Sequence, residues 1–277
     1  MTGLAVDGDS APTAVGQSQA TATATAASIR LDDIRCAYGG VQAVNGVSFE
    51  VPAGAFIGLI GPNGAGKTTL LDCISGFNRG YSGHVYLGGQ DISRWAPHKI
   101  ASKSLVRTFQ TPRLFRGMTV MSNLMTAPPR QIGETIRGAI FGSWKDEEQK
   151  NLVHAREVAA SFSLQRVLDN YCSELSGGQE RIAELARTLM ADCKAILLDE
   201  PFAGVSPANR VRLAEHLVRL WQELGVTIIM VEHRLEWIEQ LCSSVQVMAN
   251  GRILASGTMN ELRKDRQVLE AYLGAAP

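Results

Sequence analysis

Residues Gly61-Pro62-Asn63-Gly64-Ala65-Gly66-Lys67-Thr68 form a glycine-rich turn between the apolar run Phe56-Ile57-Gly58-Leu59-Ile60 and the segment Thr69-Leu70-Leu71-Asp72-Cys73-Ile74, whose apolar residues recur at helical spacing. A buried strand that enters a helix through such a turn confines the chain to α/β architectures. Gly64 and Gly66 can take backbone angles closed to other residues, which lets main-chain N–H groups approach a polyphosphate. Lys67 adds a point charge toward the β- and γ-phosphates, and the Thr68 hydroxyl can ligate Mg²⁺. Thr69 follows in the first helical turn and joins the nucleotide-binding candidates. The positive end of the helix dipole favours the same anion.

At 277 residues the chain can bury a sizeable core. Acidic and basic residues balance at 27 each, so no overall field draws it to nucleic acid, and no nucleic-acid partner is expected. Five cysteines are scattered, odd in number and never spaced as CxxC, which fits a reducing compartment. No apolar run reaches the roughly 18 to 20 residues of a membrane span.

Residues 1–28 are rich in Ala, Thr, Ser and Gly and contain no Lys or Arg, so a disordered tail is expected there. From Ile29 short strands follow, Ile29-Arg30-Leu31 and Ala43 to Val51, punctuated by Tyr38-Gly39-Gly40 and Pro52-Ala53-Gly54. Tyr38 reads either as turn packing or as a platform for a base. Gly83 to Ile92 reads as a hairpin, and Val106 to Gln110 as a β-rich segment. Between Thr111 and Glu174 the pattern turns helical, over Met121–Met125, Ile132–Ile140 and Asp146–Phe162, with breaks at Pro128-Pro129 and Gly142-Ser143.

Leu175-Ser176-Gly177-Gly178-Gln179 opens a helix that runs to Met190. Ser176 is a candidate N-cap and the two glycines expose N–H groups, so the segment reads equally as a cap or as a second anion site. Ala195-Ile196-Leu197-Leu198 then forms an apolar strand ending in Asp199-Glu200, with the acids at the carboxyl edge where ligands bind. Asp199 is placed to reach a Mg²⁺ held by Thr68, and Glu200 to polarise a water. A further strand, Val226 to Val231, ends in Glu232-His233, where His233 is either a phosphate sensor or an ordinary edge residue. Val205–Gly225 and Arg234–Cys242 carry amphipathic helical spacing. Val245 to Leu254 reads as a hairpin around Asn250-Gly251, followed by one helix from Met259 to Leu273.

With these elements in this order, the chain resembles the ATP-binding-cassette (ABC) ATPases. The resemblance implies a P-loop NTPase core, a mixed or parallel sheet flanked by helices, with an antiparallel β subdomain and a helical subdomain of about residues 111–190 inserted in it. Residues 29–277 then form one cassette. It further implies that Tyr38 stacks on adenine, that Gln110 joins Thr68 and Asp199 at Mg²⁺, and that Glu200 is the general base and His233 the switch. Ser176, Gly177, Gly178 and Gln179 are implied to bind the nucleotide of a second cassette, packed head to tail as a homo- or heterodimer. One departure is Ala203-Gly204-Val205-Ser206-Pro207, where many cassettes carry an aspartate that crosses the dimer.

Arg107-Thr108-Phe109-Gln110, Arg113-Leu114-Phe115 and the ending Glu270-Ala271-Tyr272-Leu273-Gly274 are similar to ATPase subunits of branched-chain amino-acid importers. That likeness implies membrane-spanning permease subunits, a solute-binding protein and a place on the cytoplasmic face of the inner membrane. Urea and amide importers and the lipopolysaccharide-export ATPase are related alternatives, as is a non-transport cassette.

Overall fold

A computed structural model describes residues 26–129, 131 and 144–273. The helix expected over Ile132–Ile140, and residues 1–25 of the expected tail, lie outside them. Ala27 is already buried, and the Ser28 carbonyl accepts from Gly88 N at 2.8 Å, so packed chain begins ahead of Ile29.

Two sheets carry the fold. In the first, β1 (Ile29–Tyr38) lies antiparallel between β2 (Val41–Val51) and β4 (Tyr81–Leu87), and β5 (Gln90–Asp91) pairs with β4 as the Gly88-Gly89 hairpin expected from the sequence. The second has six strands. From edge to edge these are β10 (Arg252–Gly257), β9 (Ser244–Ala249), β3 (Phe56–Ile60), β8 (Thr227–Val231), β7 (Ala195–Asp199) and β6 (Leu105–Arg107). All pairs in it are parallel except β9 with β10. The β-rich segment expected to reach Gln110 is strand only to Arg107, although Thr108 N still donates to Leu197 O at 2.9 Å.

Strands β3, β7 and β8 are buried residue by residue, because both faces of the sheet are covered. Phe56, Ile60, Ile196, Leu198, Ile228 and Met230 point into one core with the helices α3 (Val120–Met125), α4 (Trp144–Ser161), α5 (Gly177–Met190), α6 (Pro207–Gln222) and α7 (Leu235–Leu241). The alternate residues Ile57, Leu59, Leu197, Ile229 and Val231 join a second core with the antiparallel sheet and α1 (Lys67–Ile74). A short helix α2 (Pro97–Ala101) contributes Ile100 to that core. The period of two along each strand therefore sorts side chains between two cores. All five cysteines are free thiols. Among the described residues no helix is long and apolar enough to cross a membrane.

The terminal helix expected as one piece is two, α8 (Met259–Leu262) and α9 (Arg266–Leu273). Asp265 Oδ1 accepts from Gln267 N at 2.8 Å and Val268 N at 3.3 Å, so its carboxylate caps a new helix rather than continuing the old one.

Candidate functional site

Register decides where the chemistry gathers. Leu59 of β3 pairs with Val231 of β8, which pairs with Asp199 of β7. The phosphate turn after β3, Glu200 after β7 and His233 after β8 therefore leave the sheet side by side at its carboxyl edge. A cavity of about 380 Å³ opens there, lined by Ala43, the turn from Asn63 to Thr69, Glu200 and His233.

The turn favours glycine at three places: Gly64 has φ 79°, in the left-handed region, and two others also lack room for a side chain. Gly61 has φ 153° and an added Cβ would lie 2.0 Å from Met248 O, while Gly66 has φ 100° and an added Cβ would lie 2.1 Å from Ala43 O. Lys67, the first residue of α1, folds back and donates to Gly61 O at 2.8 Å and Pro62 O at 3.0 Å. Gly61 and Pro62 thus hold the lysine from behind rather than line the cavity. Burial lowers the Lys67 pKa, and the carboxylates of Glu200 and Asp199 oppose that pull.

Glu200 sits at the strand end with φ 48°, a left-handed conformation uncommon for a side-chain-bearing residue. Its Oε1 lies 2.8 Å from His233 Nε2, and its Oε2 accepts from Gln110 Nε2 at 3.0 Å. Asp199 is buried, and its Oδ2 accepts from Arg107 Nη2 at 3.0 Å. Burial raises the Asp199 pKa, and the Arg107 hydrogen bond and charge oppose that rise. Arg107 also donates to Asp72 Oδ1 at 2.5 Å and Ser75 Oγ at 3.2 Å, joining β6 and β7 to α1.

The donors near the cavity suit a hard cation: the Thr68 hydroxyl, the Asp199 carboxylate and the amide oxygen of Gln110. Among the described residues no cluster of three or more His, Cys, Asp and Glu could hold a metal alone.

Two expected groups stand apart from the cavity. Tyr38 ends β1 half exposed, its hydroxyl accepting from Asn78 Nδ2 at 2.6 Å, and it is not among the cavity-lining residues. Ser176 to Gln179 open α5 in a reciprocal cap, with Ser176 N donating to Gln179 Oε1 at 2.9 Å and Gln179 N to Ser176 Oγ at 3.3 Å. No residue of that segment lines the cavity either.

Four residues that organise the site gave no functional signal in the sequence. Arg107 belongs to the importer-like stretch Arg107–Gln110, and a lone arginine in a short apolar strand signals a buried partner. Arg181 and Glu184 lie one turn apart within a largely buried helix, the spacing of an ion pair. The buried Glu232 carboxylate accepts from Phe202 N at 3.0 Å, His233 N at 3.1 Å and Arg234 N at 3.4 Å, binding the turn after β7 to the turn after β8. Burial raises its pKa, and these N–H groups temper the rise. A larger hollow of about 570 Å³ lies elsewhere, among α4, α5, α6 and Val226, and shares no residue with the cavity.

Comparison with known proteins agrees with this geometry. The family described as "ABC transporter" matches residues 44–203, and one described as "Branched-chain amino acid ATP-binding cassette transporter" matches residues 252–277. The chain is 38% identical over 238 residues to the probable branched-chain amino acid transport ATP-binding protein LivG of Archaeoglobus fulgidus, covering 86% of this chain and 92% of the relative. It is 33% identical over 241 residues to the high-affinity LivG of Escherichia coli strain K12, covering 86% and 94%. A nucleotide-free ATP-binding cassette from an ABC transporter superposes with TM-score 0.76 at 33% identity, over 89% of this chain and 98% of that one. A cassette of an ABC transporter in its ADP conformation gives TM-score 0.75 at 34% identity, over 90% and 100%. With more than half its length matched to one family and relatives covered almost end to end, the chain belongs to the ABC transporter family as one of its ATP-binding cassettes.

Proposed function

We propose that this cassette is the ATP-hydrolysing subunit of an importer for branched-chain or other amino acids. The observation that carries the reading is the convergence of the Lys67 turn, Glu200 and His233 on one cavity, with Gln110 bonded to Glu200 beside it. The likeness of its relatives' names supports the solute class.

In this reading, amides of Asn63 to Thr69 and the Lys67 ammonium hold the β- and γ-phosphates, and Tyr38 takes the base. Thr68, Asp199 and Gln110 are the residues that would hold Mg²⁺, which would supply positive charge to neutralise the phosphates. Glu200 accepts a proton from water as the water oxygen bonds to the γ-phosphorus and the bond from that phosphorus to the β–γ bridging oxygen breaks, giving ADP and phosphate. His233, hydrogen-bonded to the same carboxylate, orients it. Ser176 to Gln179 present amides and a helix terminus to the nucleotide of a second cassette, so ATP favours the closed pair. Permease subunits supply the path across the membrane, a solute-binding protein delivers the cargo, and the cassette works at the cytoplasmic face.

The test is isolation of the chain from detergent-extracted membranes of cells that express it, and reconstitution of what co-purifies into vesicles. Co-purification with two multi-span proteins and ATP-driven uptake of labelled leucine is the expected result. Recovery with ribosomes, or uptake of urea or an amide but of no amino acid, would refute it.

A further inference from the structure

Helix α5 buries two charged side chains, Arg181 at 1% exposure and Glu184 at 3%. A guanidinium is tolerated there only where its charge and N–H groups are answered. Glu184 Oε2 accepts from Arg181 Nη1 at 3.0 Å. The other bonds all run to main-chain carbonyls of different segments: Nη1 to Phe109 O, and Nη2 to Gln110 O at 2.6 Å and Glu200 O at 3.3 Å. The second oxygen of Glu184 accepts from Arg113 N at 3.1 Å, and Arg187 donates to Arg113 O at 2.6 Å. One side chain therefore touches the backbone of both residues whose side chains meet at the cavity.

We infer that Arg181 is a positioning residue, setting the separation of Gln110 from Glu200 and tying it to the placement of the helix that begins at Ser176. The inference rests on the roles proposed above for Gln110 and Glu200. Lysine cannot replace it, because a single ammonium lacks the planar fork that serves three backbone carbonyls and a carboxylate together. Any rotation of α5 against the sheet either carries residues 109–113 along or strips partners from a buried charge, which is costly. Movement at Ser176 thus reaches the Gln110–Glu200 pair with no direct contact between them.

The experiment measures ATP hydrolysis and nucleotide affinity of the full chain for wild type, Arg181→Lys, Gln110→Ala and the double variant. Arg181→Lys is expected to lower kcat about tenfold to a hundredfold with Kd for ATP changed less than about threefold, and its effect to shrink below about threefold in the Gln110→Ala background. Equal losses in both backgrounds, or loss of nucleotide binding together with kcat, would overturn the proposal. Glu184→Gln keeps the shape of the pair and serves if the lysine variant does not fold. The same non-additivity with Gln110→Ala is expected of it, and additivity would overturn the proposal. Hydrolysis unchanged by Gln110→Ala and Glu200→Gln would remove the site assignment and the proposal with it. Hydrolysis that needs both residues and is indifferent to Arg181 would remove the proposal alone.

Discussion

His233 Nε2 and Glu200 Oε1 lie 2.8 Å apart, although 33 residues separate them in the chain. They meet because β7 and β8 are parallel neighbours and Asp199 pairs with Val231, so each residue sits just past the end of its own strand. Gln110 occupies the other oxygen at 3.0 Å. With both oxygens engaged, the carboxylate is held in one orientation, and each oxygen keeps a lone pair with which to accept from a water.

Glu200→Gln keeps the shape and the bonding partners of the side chain and removes its capacity to take a proton. ATP turnover is expected to fall by about 10²- to 10⁴-fold, the span of general-base contributions. Nucleotide affinity stays near wild type. Single-turnover hydrolysis and equilibrium titration measure the two separately, and near-normal turnover would remove Glu200 from the base role.

Lys67→Ala takes away the charge beside the phosphate turn along with two hydrogen bonds to Gly61 O and Pro62 O. Hydrogen bonds to charged groups contribute about 1.5–3 kcal/mol, so affinity for ATP is expected to weaken by roughly 10- to 100-fold. Calorimetric titration checks this, and an unchanged Kd would dismiss the turn as a phosphate cradle.

How far the site could be read beforehand follows from the range of the forces involved. The phosphate turn, the acid-tipped strand and the Ser176 cap are local patterns, set by backbone angles and short-range hydrogen bonding, and each lies where its residues predicted. Arg107, Arg181 and Glu232 act across 92, 72 and 30 residues of chain respectively, on Asp199, Phe109 and Phe202. No periodicity reports such partners, since only the strand order brings them together. The divided C-terminal helix is a different kind of miss: the apolar spacing from Met259 onward is helical throughout, and the capping carboxylate of Asp265 decides against continuity.

Arg107→Gln leaves Asp199 and Asp72 without their guanidinium, and Asp199 is only 7% exposed at its side chain. Removing one partner of a buried ion pair costs about 3–5 kcal/mol, and the value expected here is near about 3 because Asp72 is partly solvated. Urea unfolding at neutral pH measures the loss. Stability within about 0.5 kcal/mol of wild type would mean that the bridge among β6, β7 and α1 contributes nothing to the fold.

His216 of α6 gives the fold a pH dependence outside the site. Burial, helped by the positive charges of Arg219 and Arg212, pushes its pKa from 6.5 down to about 4. Its ring packs 4.4 Å from Phe162, facing a hollow that Glu157, Asp192 and Glu223 also line. The folded chain thus refuses a proton that the unfolded chain accepts. The resulting stability is complete above pH 6.5 and drains away as the pH falls toward about 4. At 1.36 kcal/mol for each pH unit of that gap, the loss amounts to roughly 3 kcal/mol. His216→Gln is expected to flatten the fall in urea midpoint across this window while leaving the other acid-sensitive groups in place. An undiminished slope in the variant would assign the acid sensitivity to the carboxylates instead.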